Sequence, residues 1–242
     1  MSQSLHRTDS AKAGATILYL HGFASGPDSM KGRALERRFT ELGVSFQCID
    51  LTPGDEGFER STPLTMLAEA QRQVAAARPR ALIGSSLGGY LAALIASRQR
   101  SRPSGENCGS LAGGDAVERV VLLAPAFRFF ERWRARTTPE EEQRWRRDGL
   151  EVQHYASKRT RRLSWAFMED AAKLPAYPDV GVPCLCLAGR KDEVVPLTDV
   201  EPFAAANPSA KLVVLEDGHD LVASLEAIFR EAREFLGPLL GR

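Results

Sequence analysis

The sequence has few of the features that mark membrane, secreted or nucleic-acid-binding proteins. Its 242 residues include only 4 cysteines and 4 histidines, and the formal net charge is +1. No apolar run approaches the ~20 residues that a membrane span requires. A net charge near zero gives no long-range attraction to nucleic acid or an anionic membrane surface, and no nucleic-acid-binding motif is present. These absences favour a globular protein that acts on small molecules.

The cysteine pattern and the N-terminus both predict a cytoplasmic protein. Cys184 and Cys186 lie two residues apart in the strand-like run VPCLCLAG, so their thiols share one face. We interpret them as small core residues, because the C-x-x-C spacing of metal or redox sites is absent. The polar start MSQSLHRTDSAKAG lacks the apolar segment of a secretory signal. No metal and no cofactor are expected.

Six short apolar runs predict six buried strands. Helical patterns separate most of them, and this alternation predicts an α/β fold with a mostly parallel sheet and helices on both faces. Ligands of such sheets bind at the carboxyl ends of the strands. The predicted strands are ATILYL (15–20), VSFQCIDL (44–51), RALIG (80–84), ERVVLLAP (118–125), VPCLCLAG (182–189) and AKLVVLE (210–216).

The chain is predicted to form a single domain over residues 15–242, preceded by a flexible tail at 1–14. A Gly-, Ser- and charge-rich stretch at 97–119 reads as a surface insertion. Residues 127–180 interrupt the alternation and are interpreted as a small helical cap that holds all three tryptophans. We expect these tryptophans to pack the cap onto the core rather than to line a substrate channel. They include the helix TTPEEEQRWRRDG, which starts with a Thr138–Glu141 capping box.

The predicted cap is basic, with eleven Arg or Lys against six Asp or Glu between residues 127 and 162. We interpret this charge as a solvated helix face with ion pairs four residues apart, such as Glu140 with Arg144 and Glu142 with Arg146. The alternative is that a basic cap attracts an anionic acyl donor such as a coenzyme A thioester.

The pentapeptide Gly84–Ser85–Ser86–Leu87–Gly88 has the G-x-S-x-G pattern of a nucleophile elbow between a strand and a helix. Ser86 is the predicted apex, because only Ser86 has glycine two residues before and two after it. Ser85 is therefore its buried neighbour. A Gly-Ser turn without function is the alternative interpretation.

A serine nucleophile needs a general base and an acid that orients the base. His219 follows the last predicted strand and opens a predicted terminal helix, HDLVASLEAIFREAREFL (219–236), and Asp192 lies on the loop after the preceding strand. Glu193 and Asp217 are other acids nearby, and we prefer Asp192. The order Ser86, Asp192, His219 is the nucleophile–acid–base order of the α/β-hydrolase fold.

The segments LYLHGF, GSSLGGY, GRKDEVVP and EDGHD resemble the oxyanion loop, nucleophile elbow, acid loop and histidine loop of α/β-hydrolase-fold serine hydrolases. The longer matches YLHGFASGPDSMKGRAL, GSSLGGYLA and LLAPAF are similar to the small bacterial esterases of the YqiA/YcfP type. The resemblance covers about residues 15–238. It implies that the backbone N–H groups of Phe23 and Leu87 form the oxyanion hole. It also implies substrate contacts from His21, Gly22, Phe23 and cap residues.

The function predicted from these residues is hydrolysis of carboxylic esters or thioesters of small acyl substrates through an acyl-enzyme. The alternatives are a non-catalytic protein of the same fold that binds a ligand or partner, an acyltransferase or a peptidase. The sequence leaves both a monomer and a homodimer open.

Overall fold

The computed structural model describes residues 16–54, 57–100 and 117–240. The predicted tail and residues 101–116 of the predicted insertion at 97–119 lie outside the described residues. The described chain forms a six-stranded, fully parallel sheet in the order β2-β1-β3-β4-β7-β8. Its strands are β1 (Thr16–Leu20), β2 (Ser45–Ile49), β3 (Ala81–Ser85), β4 (Arg119–Leu123), β7 (Cys184–Gly189) and β8 (Ala210–Leu215).

All six predicted strands are confirmed, and so is the α/β fold. Helices cover both faces of the sheet. They are α1 (Met30–Glu41), α3 (Pro63–Ala77), α4 (Leu87–Arg100), α8 (Leu197–Ala206) and α9 (Leu225–Leu240), and the short helix α2 (Gly57–Arg60) lies in the connection between β2 and α3. Central strands such as β3 and β7 are buried along their whole length, which explains their nearly continuous apolar sequence.

The two faces of the sheet form two apolar clusters, because side chains alternate along each strand. Leu18 and Leu82 point toward α3 and α4, whereas Ile17 and Ile83 pack against α1 and α9. Cys184 and Cys186 are buried in the first cluster, as core residues. Burial raises the pKa of Cys184 to about 12, so this thiol is neutral at physiological pH.

The chain between β4 and β7 forms elements that are not part of the main sheet. It contains α5 (Phe129–Arg136), α6 (Pro139–Asp148), the strands β5 (Leu150–His154) and β6 (Arg159–Leu163), and α7 (Ala166–Ala171). Helix α6 begins at the predicted capping box and ends at Gly149, whose φ is +79°. The antiparallel β5–β6 hairpin was not predicted from the sequence.

The terminal helix differs from its prediction. The sequence suggests that it begins near His219, but α9 begins at Leu225. Leu221 has a φ of +52°, a left-handed conformation that a right-handed helix does not admit. His219 therefore lies on a loop between β8 and α9. Throughout the described residues, no helix combines the length and the apolar character needed to cross a membrane.

Candidate active site

Ser86 occupies a strained turn between β3 and α4. Its φ is +53°, a region that non-glycine residues seldom adopt. Backbone hydrogen bonds hold this conformation: the Ser86 N–H donates to Leu123 O at 2.8 Å, and Ser86 O accepts from the N–H groups of Tyr90 and Ala126, each at 3.0 Å. The turn is therefore fixed by both neighbouring strand β4 and the helix that follows.

The two glycines of the motif allow the strand and the helix to approach each other closely. A Cβ on Gly84 would overlap the carbonyl oxygen of Gly88. A Cβ on Gly88 would overlap the carbonyl oxygens of Leu20 and His21 at the end of β1. The G-x-S-x-G spacing is thus required by the packing of α4 against β1 and β3.

Three predicted residues from three separate loops form a chain of hydrogen bonds. Ser86 Oγ lies 3.0 Å from His219 Nε2, and His219 Nδ1 lies 2.8 Å from Asp192 Oδ2. The other carboxylate oxygen, Asp192 Oδ1, accepts the N–H groups of Val194 at 2.8 Å and Val195 at 2.7 Å. The Asp192 side chain is fully buried, whereas that of His219 is 26% exposed. This arrangement fixes an imidazole with Nδ1–H toward the acid and Nε2 free to accept the serine proton.

The acids that neighbour Asp192 and His219 in the sequence do not hydrogen-bond the His219 ring. The Glu193 side chain is exposed, and Asp217 Oδ1 accepts the Gly218 N–H at 2.8 Å. Asp220 Oδ1 lies 3.4 Å from the Val222 N–H. Within the described part of the chain, Asp192 is the carboxylate that hydrogen-bonds the His219 ring.

Lys31, on α1, adds a positive charge on the acid side of the site. It interacts electrostatically with Asp220, Asp192 and Asp217. Burial lowers the pKa of Lys31 to about 8, which still leaves the ammonium group mostly protonated at neutral pH. No sequence spacing points to this residue, because its acidic neighbours lie more than 150 positions away along the chain.

The residues predicted for the oxyanion hole lie on both sides of Ser86. Leu87 is the first residue of α4, so its N–H is among those that have no partner within the helix. Phe23 lies on the loop after β1. Gly22 brings this loop against the elbow, since a Cβ on Gly22 would lie 3.4 Å from Ser86 Cβ.

The His21 imidazole lies beneath this loop and is 1% exposed. Its Nδ1–H donates to Gly22 O at 2.9 Å, and its Nε2 accepts the Leu51 N–H at 3.2 Å. Both ring nitrogens are therefore occupied by backbone groups. The structure gives His21 a supporting position under the loop, whereas Phe23 faces the cavity described next.

A cavity of about 450 Å³ opens beside Ser86. Its wall is mainly aromatic and aliphatic, with charged groups from α5 and α6. Phe23 packs against Trp133 and Phe167, with ring centroids 5.7 Å and 5.2 Å apart. Residues from the chain between β4 and β7 supply most of the wall, including Phe127, Phe129, Arg132, Trp133, Arg136, Arg144, Trp145, Leu150 and Phe167.

The tryptophans of this segment divide between two positions. Trp133 and Trp145 line the cavity, while Trp165 packs edge-on against Trp145 with ring centroids 5.0 Å apart. The expectation that all three serve only to pack the segment onto the core is therefore too simple. The placement of all three tryptophans in this one segment is the sequence signal that could have indicated an aromatic cavity wall.

The β5–β6 hairpin contacts the loop that carries Phe23. The Tyr155 N–H donates to Ala24 O at 2.8 Å. A Cβ on Gly26 would lie 3.0 Å from Ala156 Cβ, so the hairpin turn and the loop are closely packed. The hairpin therefore limits the movement of the loop.

Asp199 is a further residue that the sequence does not single out. It is 4% exposed on α8, and its carboxylate lies 3.2 Å from the Arg132 guanidinium and 3.4 Å from that of Arg128. Arg132 also donates to Glu193 O at 3.4 Å. These contacts connect α5 to the loop of Asp192. Asp199 lies about seventy residues from these arginines along the chain, so no local spacing in the sequence predicts the ion pairs.

Over residues 16–54, 57–100 and 117–240, no three His, Cys, Asp or Glu side chains are grouped so as to hold a metal ion.

Comparison with known proteins gives one family and several structures of the same fold. A model of UPF0227, described as an uncharacterised protein family, matches residues 16–236. No curated protein gives a significant match to the sequence. Est1E from Butyrivibrio proteoclasticus, solved with ferulic acid bound, superposes with a TM-score of 0.77 at 20% identity, over 96% of this chain and 92% of its own.

Two further solved structures are similar. A protein from Agrobacterium vitis S4, described provisionally as a hydrolase, gives a TM-score of 0.76 at 22% identity, over 92% of this chain and 88% of its own. The α/β-hydrolase domain-containing protein 10 from mouse gives 0.73 at 19% identity, over 93% and 90%. At these identities the similarity establishes the α/β-hydrolase fold.

Proposed function

The chain belongs to the UPF0227 family and has the α/β-hydrolase fold, and from this premise we propose that it is a serine hydrolase of carboxylic esters or thioesters. The observation that carries the proposal is the continuous hydrogen-bonded series from Ser86 through His219 to Asp192 at the edge of a cavity. A binding protein would have no need for a strained serine joined to a histidine and a buried carboxylate.

In the first step, Ser86 Oγ attacks the acyl carbonyl carbon while its proton passes to His219 Nε2. Asp192 accepts the Nδ1–H bond throughout, which keeps the ring oriented and stabilises the imidazolium. The carbonyl oxygen becomes an oxyanion and accepts hydrogen bonds from the N–H groups of Phe23 and Leu87. Each such donor lowers the barrier by about 3 kcal/mol.

In the second step, the bond to the leaving group breaks, and His219 gives its proton to the departing oxygen or sulfur atom. The acyl group remains on Ser86 Oγ as an ester. A water molecule then attacks this ester and gives a proton to His219, and the proton returns to Ser86 Oγ as the carboxylic acid leaves. The chemistry needs no cofactor.

Labelling with a fluorophosphonate probe, alongside hydrolysis of p-nitrophenyl esters, tests the proposal. The Ser86→Ala variant is expected to lose labelling and about a millionfold in kcat, because the nucleophile is gone. Ser85→Ala is the matched control, since Ser85 is 4% exposed and is not among the residues that line the cavity. This control should keep most of the activity.

Two results would overturn the proposal. One is a purified protein that neither takes the probe nor hydrolyses any ester or acyl thioester of a chain-length series, which would favour a binding role. The other is a Ser86→Ala variant that labels as well as the unaltered protein, which would place the nucleophile elsewhere.

A further inference from the structure

Residues from one face of helix α5 form one wall of the cavity. Phe129, Arg132, Trp133 and Arg136 all line the cavity, and their spacing of three, four and seven residues places them on one helix face. The end of α5 nearer Ser86 is fixed by the Ala126 N–H, which donates to Ser86 O at 3.0 Å. Seven residues at 1.5 Å each place Arg136 about 10 Å farther along the helix than Phe129.

The middle of the cavity is apolar. The Trp133 ring lies 5.8 Å from that of Phe167, and both contact Phe23 beside the elbow. Phe129 and Leu150 add further apolar surface. A hydrocarbon or aromatic group that extends from Ser86 along α5 would therefore be removed from water on most sides.

Two arginines that line the cavity form no ion pair within the described residues. Arg136 and Arg144 line the cavity, and no carboxylate oxygen of the described chain lies within 4.0 Å of either guanidinium. Three other arginines of the cap are paired: Arg132 with Asp199, and both Arg134 and Arg146 with Glu142.

Glu141 is the acid on this part of the wall, and it forms no ion pair with either arginine. Glu141 Oε2 accepts the Thr138 N–H at 2.9 Å, as part of the cap of α6. The expected Glu140–Arg144 ion pair does not form, although the Glu142–Arg146 pair does. Arg136 and Arg144 thus line the cavity as guanidinium groups that form no ion pair with a carboxylate of the described chain.

The position of His219 indicates which part of an ester enters the cavity. The leaving group must lie beside His219 Nε2 to receive its proton. Among the described residues, those that line the cavity include Ser86, Phe23 and Leu87 but not His219. A cavity that Ser86 lines and His219 does not is consistent with the acyl side of the scissile bond.

We propose that the cavity binds an acyl group whose far end carries an anionic group, such as a carboxylate, which Arg136 and Arg144 recognise. The inference rests on the proposed serine hydrolase activity and narrows its substrate class to acyl groups that are apolar in the middle and negatively charged at the end. Guanidinium groups suit this role, because they bind carboxylates through paired, charge-assisted hydrogen bonds.

The test compares the p-nitrophenyl monoester of suberic acid with p-nitrophenyl octanoate. The two esters share a leaving group and a chain length and differ in the terminal carboxylate, which is ionised at neutral pH. The measured quantity is the ratio of kcat/KM for the acidic ester to kcat/KM for the neutral ester. This ratio should exceed one, decrease as salt is added, and fall about tenfold in Arg136→Gln and in Arg144→Gln.

Arg147→Gln is the matched control. Arg147 lies on α6 like Arg144, but it pairs with Asp148 and is outside the cavity wall. Its removal changes the net charge of the chain equally and should leave the ratio unchanged. A third ester, 4-carboxyphenyl octanoate, carries the negative charge on the leaving group instead.

The outcomes separate the two proposals. If octanoate is hydrolysed but the ratio is the same in all variants, the anion site is wrong and the hydrolase proposal stands. If the arginine variants affect only 4-carboxyphenyl octanoate, the anion belongs to the leaving group and the acyl assignment is wrong. If no ester is hydrolysed and no probe reacts, both proposals fail.

Discussion

Replacement of Asp192 by asparagine tests the orientation of the imidazole with little disturbance of the fold. Asp192 Oδ1 accepts two backbone N–H groups, and an amide oxygen can accept both in the same place. The amide NH₂ group would then face His219 Nδ1 at the position of Oδ2. A donor at this position forces Nδ1 to become an acceptor, so the ring proton moves to Nε2 and points at Ser86.

A histidine in that tautomer cannot take the serine proton. We expect kcat to fall by about 10⁴, the effect of the same tautomer error in serine proteases. A 10⁴-fold fall corresponds to about 5.5 kcal/mol of barrier. The thermal midpoint should change little, because both backbone hydrogen bonds of the loop survive.

Initial rates of p-nitrophenyl butyrate hydrolysis give kcat, and a thermal melt of the same preparation gives the thermal midpoint. Glu193→Gln is the matched control, since this neighbouring side chain is exposed. The reasoning is refuted if Asp192→Asn keeps kcat within tenfold of the unaltered protein. A large loss in Glu193→Gln instead would identify Glu193 as the orienting acid.

Two glycine substitutions provide further predictions. Gly88→Ala should destabilise the fold by about 3 kcal/mol, because its Cβ would overlap the carbonyl oxygen of Leu20; a fall in the thermal midpoint of roughly 6 to 12 °C would show this. Gly218→Ala, with its closest neighbour at 4.0 Å, is the control, and an equal shift in both would contradict the steric argument. Gly26→Ala should lower kcat severalfold by pushing the Phe23 loop away from the hairpin. Adding Ala156→Gly should restore kcat, and a double variant as slow as the single one would exclude this coupling.

The sequence predicts the sheet well, because its signals are local. Each buried strand is a short apolar run followed by a turn or a helix cap, and all six predicted strands are present. The order of Ser86, Asp192 and His219 along the chain, each after a different strand, already indicates that these residues meet at one edge. Parallel strands bring their carboxyl ends together whatever the distance in sequence.

The start of α9 and the β5–β6 hairpin are the two places where local sequence patterns do not predict the secondary structure. The apolar stripe after His219 has helical spacing, but Leu221 has a left-handed backbone conformation, which a right-handed helix does not admit. The hairpin is short and partly exposed, so its sequence lacks the apolar run of a buried strand.

The sequence by itself therefore determined the parallel sheet, the elbow at Ser86 and the small set of residues that could act with it. Tertiary structure decided which acid reaches His219, which aromatic rings line the cavity and which arginines remain without partners. The physical reason is the range of the interactions. Strands, caps and the glycine-flanked turn depend on residues a few positions apart, whereas the Arg132–Asp199 pair and the cavity wall depend on residues that only the folded chain brings together.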